Sequence, residues 1–150
     1  MVAVSLKKFF FFKQKTAYEI SYSVSAFLLN RSSDLNCGYC KKLRQTTLKD
    51  LNNVTIYTFM YNILAPDSFE KSRNIWCSPD RMKAWDDWMI NGKAAPTAAA
   101  SCQAPNDKVL ALGQKLRIQG TPAIFFADGT RIPGAIDLPA LEKKLDSVKQ

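Results

Sequence analysis

Asn36-Cys37-Gly38-Tyr39-Cys40-Lys41-Lys42-Leu43 is the stretch on which the fold turns. Its two cysteines stand where an amphipathic pattern begins. From Cys40 to Leu51 the residues Leu43, Leu48 and Leu51 share one side, which predicts a helix stopped by Asn52-Asn53. Unpaired backbone N–H groups and the helix dipole favour an anion at a helix N-terminus. A thiol placed there therefore ionises below the ordinary cysteine range. The thiolate is the form that attacks a disulfide, and a second thiol three residues on can resolve the mixed disulfide. This spacing predicts a dithiol with Cys37 as the exposed nucleophile and Cys40 as the shielded resolver. The competing reading is half of a structural zinc site, which only Cys77 and Cys102 could complete.

Downstream, Val54-Thr55-Ile56-Tyr57-Thr58-Phe59-Met60 is β-branched and aromatic almost throughout and predicts a buried strand. Pro66-Asp67-Ser68 opens a helix to about Trp76. Ser78-Pro79-Asp80 restarts it, with Ser78 as N-cap and Pro79 at the first helical position. Met82, Trp85, Trp88 and Met89 recur at helical spacing and are expected to face the core, and Asn91-Gly92 ends the helix. After the small-residue loop Ala94–Ala104, Asn106 is expected to cap a helix running to about Leu116. Ala123–Phe126 and Thr130–Ile132 predict a hairpin across Asp128-Gly129, read as a two-residue turn. Asp137 caps a closing helix with Leu138, Leu141, Leu145 and Val148 on its inner side. Arg117 is out of place where a small turn residue such as glycine is expected.

The chain has 150 residues, enough for one compact domain. At 47% hydrophobic and 23% charged it is a globular composition, not a disordered or collagenous one. No apolar run approaches the roughly 20 residues of a membrane helix. There is no histidine. That excludes histidine acid–base catalysis, a Ser-His-Asp triad and any Cys/His zinc site. The four cysteines are then the most reactive groups present. A net charge of +8 raises nucleic acid or an acidic membrane as partners. The charges do not cluster, however, so no nucleic-acid binding is expected. Cys77 and Cys102 enclose a helix and the Ala-rich loop. They are either two buried thiols or a disulfide that would contribute about 3 kcal/mol by restricting the unfolded chain.

Met1–Leu35 differs in character from the rest of the chain. Phe9–Phe12 is cut off by Lys13, and no small-residue cleavage site comes after it, so the stretch fails as a signal peptide. Back-translated, Lys13–Glu19 and Ser23–Leu35 resemble, in order, two parts of a common paired-end sequencing adapter. The expectation is that roughly Phe9–Leu35 is translated adapter joined in frame to a truncated gene. Residues 1–35 would then be a non-native extension and 36–150 the domain proper.

The Cys-Gly-Tyr-Cys helix start, the Thr-Pro before a hairpin strand and the closing helix together resemble the α/β thioredoxin fold with a helical insertion. More narrowly, Asn36–Leu43, Asn74-Ile75-Trp76-Cys77, Ala84-Trp85-Asp86-Asp87-Trp88, Gly120-Thr121-Pro122-Ala123-Ile124 and Asp128-Gly129-Thr130 resemble the catalytic domain of the DsbC-type periplasmic disulfide isomerases of Gram-negative bacteria. The resemblance spans essentially all of 36–150. It implies that Cys37 attacks wrong disulfides in misfolded exported proteins and that Cys40 resolves stalled adducts. It further implies that Gly38 and Tyr39 tune the redox potential and that Thr121 and a cis Pro122 pair with the substrate backbone. Cys77–Cys102 would be a structural disulfide, and a DsbD-type membrane protein would keep the dithiol reduced. No cofactor or metal is implied.

The family also has a signal peptide, an N-terminal dimerisation domain, a linker helix and a central strand just before the Cys-x-x-Cys, none of which is read here. Val24–Leu29 is apolar enough and close enough to replace the missing first central strand. Without the dimerisation domain, the expectation is a monomer with weak exchange and little isomerase activity. A four-cysteine zinc module and an inactive chimeric fragment are the alternatives.

Overall fold

Strand β3, Val54–Met60, alternates with a period of two, and that alternation builds two cores. Val54, Ile56 and Met60 join the larger cluster, with Leu43, Trp85, Met89, Leu141 and Leu145. Phe59 and the following Tyr61 join Val109 in a smaller one. The computed structural model describes residues 18–21, 27–51 and 54–148. Around β3 lie β1 (Tyr18–Ser21), β2 (Phe27–Ser33), β4 (Ala123–Phe126) and β5 (Arg131–Pro133), in the sheet order β1-β3-β2-β4-β5. The helices are α1 (Gly38–Gln45), α2 (Asp67–Trp76), α3 (Arg81–Asn91), α4 (Asn106–Lys115) and α5 (Leu138–Ser147). Side chains of α1, α3 and α5 reach the larger core and those of α4 the smaller, so helices cover both faces. Each fully buried Leu, Ile or Phe contributes about 1.5–3 kcal/mol to such cores.

The middle of the sheet is β2, parallel to β3 and antiparallel to β4. A parallel neighbour requires a crossover, and α1 supplies it. The expected strand Val24–Leu29 shares only Phe27–Leu29 with β2. Val24–Ala26 lie outside the described residues, as do the Phe9–Phe12 run and residues 13–17 and 22–23 of the adapter-like stretch after it. The strand instead runs on through Arg31, Ser32 and Ser33, all buried. Arg31 Nε donates to Thr58 Oγ1 at 3.0 Å, and its guanidinium lies 5.2 Å from the Trp85 ring centroid. Ordered structure continues across the expected boundary at Leu35–Asn36, since Asp34 and Leu35 are themselves buried.

Five local readings are corrected. Helix α1 stops at Gln45, because the Thr46 hydroxyl donates back to the Lys42 carbonyl at 2.8 Å and Thr47 reaches out to Ile136. Ser78 does not cap α3. Its hydroxyl donates to the Asn74 carbonyl, and Asp80 accepts from Lys83 N instead. Asn106 does not cap α4 either, since its amide donates to the Phe69 carbonyl and Pro105 takes the cap position. Met82 is exposed, whereas Trp85 and Met89 are buried. The hairpin loop has three residues, Ala127–Gly129, closed by Gly129 N to the Phe126 carbonyl with Gly129 at φ 85. The caps at Gly92 and Asp137 form as expected.

Candidate active site

Helix α1 begins where the centre of the sheet ends, at the carboxyl end of β2. Ligand and reaction sites gather at that end in open α/β sheets. Cys37 is the N-cap: its backbone is extended, and Cys40 N donates to Cys37 Sγ at 3.1 Å. That contact satisfies an orphan N–H of the first turn and directs it at the sulfur, where it stabilises negative charge. Cys37 and Cys40 are joined as a disulfide. On the other side, Cys37 Sγ lies 3.3 Å from the Thr121 carbonyl oxygen, an acceptor for the thiol hydrogen of the reduced form. The Thr121–Pro122 peptide is cis. The structure thus brings Cys37, Cys40, Thr121 and Pro122 together. Cys37 is not the exposed sulfur of the sequence reading, since it is 3% exposed and Cys40 0%. The 121–122 segment packs over the α1 start, and what stands in the open is Gly38 with Tyr39, the latter 71% exposed.

The loop before Cys37 is held by groups that motif reading missed. Asp34 is fully buried. Its Oδ1 accepts from Asn36 N and Ser68 Oγ, each at 2.8 Å, and its Oδ2 from Ile63 N at 2.7 Å and Leu64 N at 2.9 Å. One carboxylate thus ties the cysteine loop to the segment after β3 and to α2, while its backbone carbonyl accepts from Cys37 N. Asn36 donates to Asp67 and Ser68 and accepts from Lys71 Nζ at 2.6 Å. The hydrogen bond from Lys71, aided by the one from Asn36, holds the Asp67 carboxyl below the usual range despite some opposing desolvation. Trp88 Nε1 donates to the Leu35 carbonyl at 2.7 Å, and its ring carries Lys41 and Lys71 ammoniums 4.5 and 4.7 Å from its centroid. The available signal was Asp34 two residues before Asn36, the spacing of an Asx turn.

Cys77 and Cys102 form a second disulfide, joining the end of α2 to the loop before α4. Arg73 Nε donates to the Cys102 carbonyl at 3.0 Å. With the four sulfurs bound in two separate disulfides, the four-cysteine zinc reading loses its ligand set. Among the described residues no cluster of three or more histidine, cysteine or acidic side chains could hold a metal.

The thioredoxin-like domain model matches residues 23–149. The probable thiol:disulfide interchange protein DsbC of Bordetella pertussis is 54% identical over 112 residues, covering 75% of this chain and 39% of the relative. The corresponding Escherichia coli K12 protein is 37% identical over 106 residues, covering 68% of this chain and 43% of that protein. The chain therefore spans about two fifths of the length of the curated relatives it matches. In structure it is similar to a disulfide interchange protein from Neisseria gonorrhoeae, with TM-score 0.81 and 33% identity over 90% of this chain and 96% of that one. By both sequence and structure, the chain belongs to the thioredoxin-like domain family, among the disulfide interchange proteins.

Proposed function

We propose that the chain is a thiol–disulfide exchange domain acting on wrong disulfides of exported proteins. The observation that carries this reading is the Cys37 sulfur at a helix N-cap, addressed by the Cys40 N–H at 3.1 Å and flanked by the Thr121 carbonyl. In the reduced form the Cys37 thiolate attacks one sulfur of a substrate disulfide. A Cys37–substrate bond forms, the substrate S–S bond breaks, and the second substrate sulfur leaves as a thiolate that takes up a proton. If that thiolate attacks a second substrate disulfide, and the substrate thiolate freed there attacks the Cys37 adduct, Cys37 leaves as a thiolate and the substrate is isomerised without net oxidation. If instead Cys40, after losing its proton, attacks Cys37 Sγ, the Cys37–Cys40 disulfide forms. The substrate then departs with two electrons and the chain must be reduced again.

In this reading Gly38 and Tyr39 present the open face between the cysteines, Thr121 and Pro122 guide the substrate backbone, and Cys77–Cys102 is structural. The reductant is a dithiol of the DsbD-type membrane class, and the compartment is the periplasm. The chain works as a monomer, with weak exchange and little isomerisation. Residues 1–35 are proposed to be a non-native extension ahead of the 36–150 domain. The adapter-like back-translation and the polar Arg31-Ser32-Ser33 run on a buried strand support this. Sequencing source DNA across the Leu35–Asn36 junction tests it, and a continuous junction in independent reads would refute it.

The exchange reading is tested with the reduced chain and a substrate carrying scrambled disulfides. Exchange should vanish in Cys37→Ser, while Cys40→Ser should accumulate a mixed disulfide visible by intact mass. Full exchange in Cys37→Ser, or none in the parent chain, would overturn it.

A further inference from the structure

A groove beside Thr121 carries charge that the exchange step does not use. It encloses about 340 Å³ between the 117–122 segment and β5, and its lining includes Arg117, Gln119, Thr121, Pro122, Arg131 and Gly134. It shares Thr121 with the reacting centre, since the Thr121 carbonyl is 3.3 Å from Cys37 Sγ. Arg117 adopts φ 53, the position just after α4 where glycine is the usual occupant. Such a backbone outlier on a large side chain is a pointer to function. Arg131 Nη1 donates to the Leu116 carbonyl at 2.8 Å, which anchors the second guanidinium beside the Arg117 turn. No acidic residue is among the described residues lining the groove.

We infer that this groove seats an acidic segment of the polypeptide substrate, with Arg117 and Arg131 pairing its carboxylates a few residues from the cysteine under attack. This rests on the exchange reading above, and it names the class of substrate that reading leaves open. A guanidinium presents a planar fork of donors that matches a carboxylate, so two forks on one groove select for acidic side chains rather than merely attracting charge. Residues 36–150 carry 16 Lys and Arg against 11 Asp and Glu, and this basic excess acts in the same sense at longer range, steering acidic chains toward the surface.

The test uses the oxidised chain and cysteine-free fluorescent peptides of equal length bearing three glutamates, three glutamines or three lysines, read by anisotropy at low ionic strength. The glutamate peptide should bind about five- to tenfold more tightly than the glutamine peptide, as expected for two solvent-accessible pairs. The advantage should shrink in high salt. Arg117→Glu should shift the preference toward the lysine peptide. If that variant fails to fold, Arg117→Gln should reduce the preference, and Arg131→Lys should retain most of it. Equal affinity for glutamate and glutamine peptides, or a preference undiminished in both Arg117→Gln and Arg131→Gln, overturns the inference. A parallel arm asks whether the reduced chain reacts with a small uncharged disulfide, 2-hydroxyethyl disulfide. No reaction there overturns the exchange reading, and with it the assignment of the acidic peptide as a substrate, even where the peptide binds.

Discussion

Truncating Asp34 to alanine should be the most damaging single change near the site, although Asp34 is not a reacting group. Its carboxylate is fully buried and collects four donors: Asn36 N, Ile63 N, Leu64 N and the Ser68 hydroxyl, at 2.7–2.9 Å. Hydrogen bonds to a charged acceptor contribute about 1.5–3 kcal/mol each. They do not add in full, and truncation also removes the cost of burying the charge, so the net loss is about 3–5 kcal/mol. Domains of this kind are stable by about 5–15 kcal/mol in total. With a urea slope of about 2 kcal/mol per molar, the midpoint of Asp34→Ala should fall by about 1.5–2.5 M. Asp34→Asn keeps the shape and one acceptor oxygen and should lose roughly half as much. Urea titration of the oxidised chain followed by tryptophan fluorescence reads both values. A midpoint for Asp34→Ala within about 0.3 M of the parent at unchanged slope would show that water or a shifted loop replaces the carboxylate, and the clamp argument would be refuted.

Arg117→Gly should raise stability by about 0.5–1 kcal/mol, since φ 53 strains any residue with a Cβ; thermal melting checks it, and a loss would mean the arginine side chain contributes more than the strain costs. Gly113→Ala should be destabilising by about 1–3 kcal/mol, because a Cβ on α4 would collide with the Tyr61 ring. The same titration measures it, and an unchanged midpoint would place Tyr61 elsewhere. Burial pushes the Tyr61 phenol above its usual value, and its hydroxyl donates to the Ile118 carbonyl at 3.0 Å. The folded state thus holds this proton more tightly than the unfolded one. The contribution is intact below about pH 10 and is lost as pH rises through the folded value. Tyr61→Phe should flatten that alkaline limb of stability, and an equally steep limb in the variant would assign it to another group.

The local sequence by itself determined the elements whose causes are local. Cys-Gly-Tyr-Cys before an amphipathic run specifies a thiol at a helix N-terminus. The strongly apolar Val54–Met60 specifies a strand buried on both faces. Gly92 and Asp137 end and begin helices through their own backbone freedom or side chain. Even the misfit of Arg117 was legible, as a residue with a Cβ at a turn that demands positive φ. Where a residue faced two partners, only the tertiary structure chose. Asn106 has cap chemistry, but the Phe69 carbonyl, far away in sequence, claims its side chain, so the cap position falls to Pro105. Cys37 reads as exposed, yet the 121–122 segment, far away in sequence, closes over it. The middle strand was least legible of all. Nothing in Arg31-Ser32-Ser33 specifies a buried strand, and these residues take that place because β3 and β4 present open backbone edges to whatever extended chain precedes α1. Backbone hydrogen bonding is indifferent to side chains, so a sheet can recruit a segment that side-chain patterning alone would leave outside.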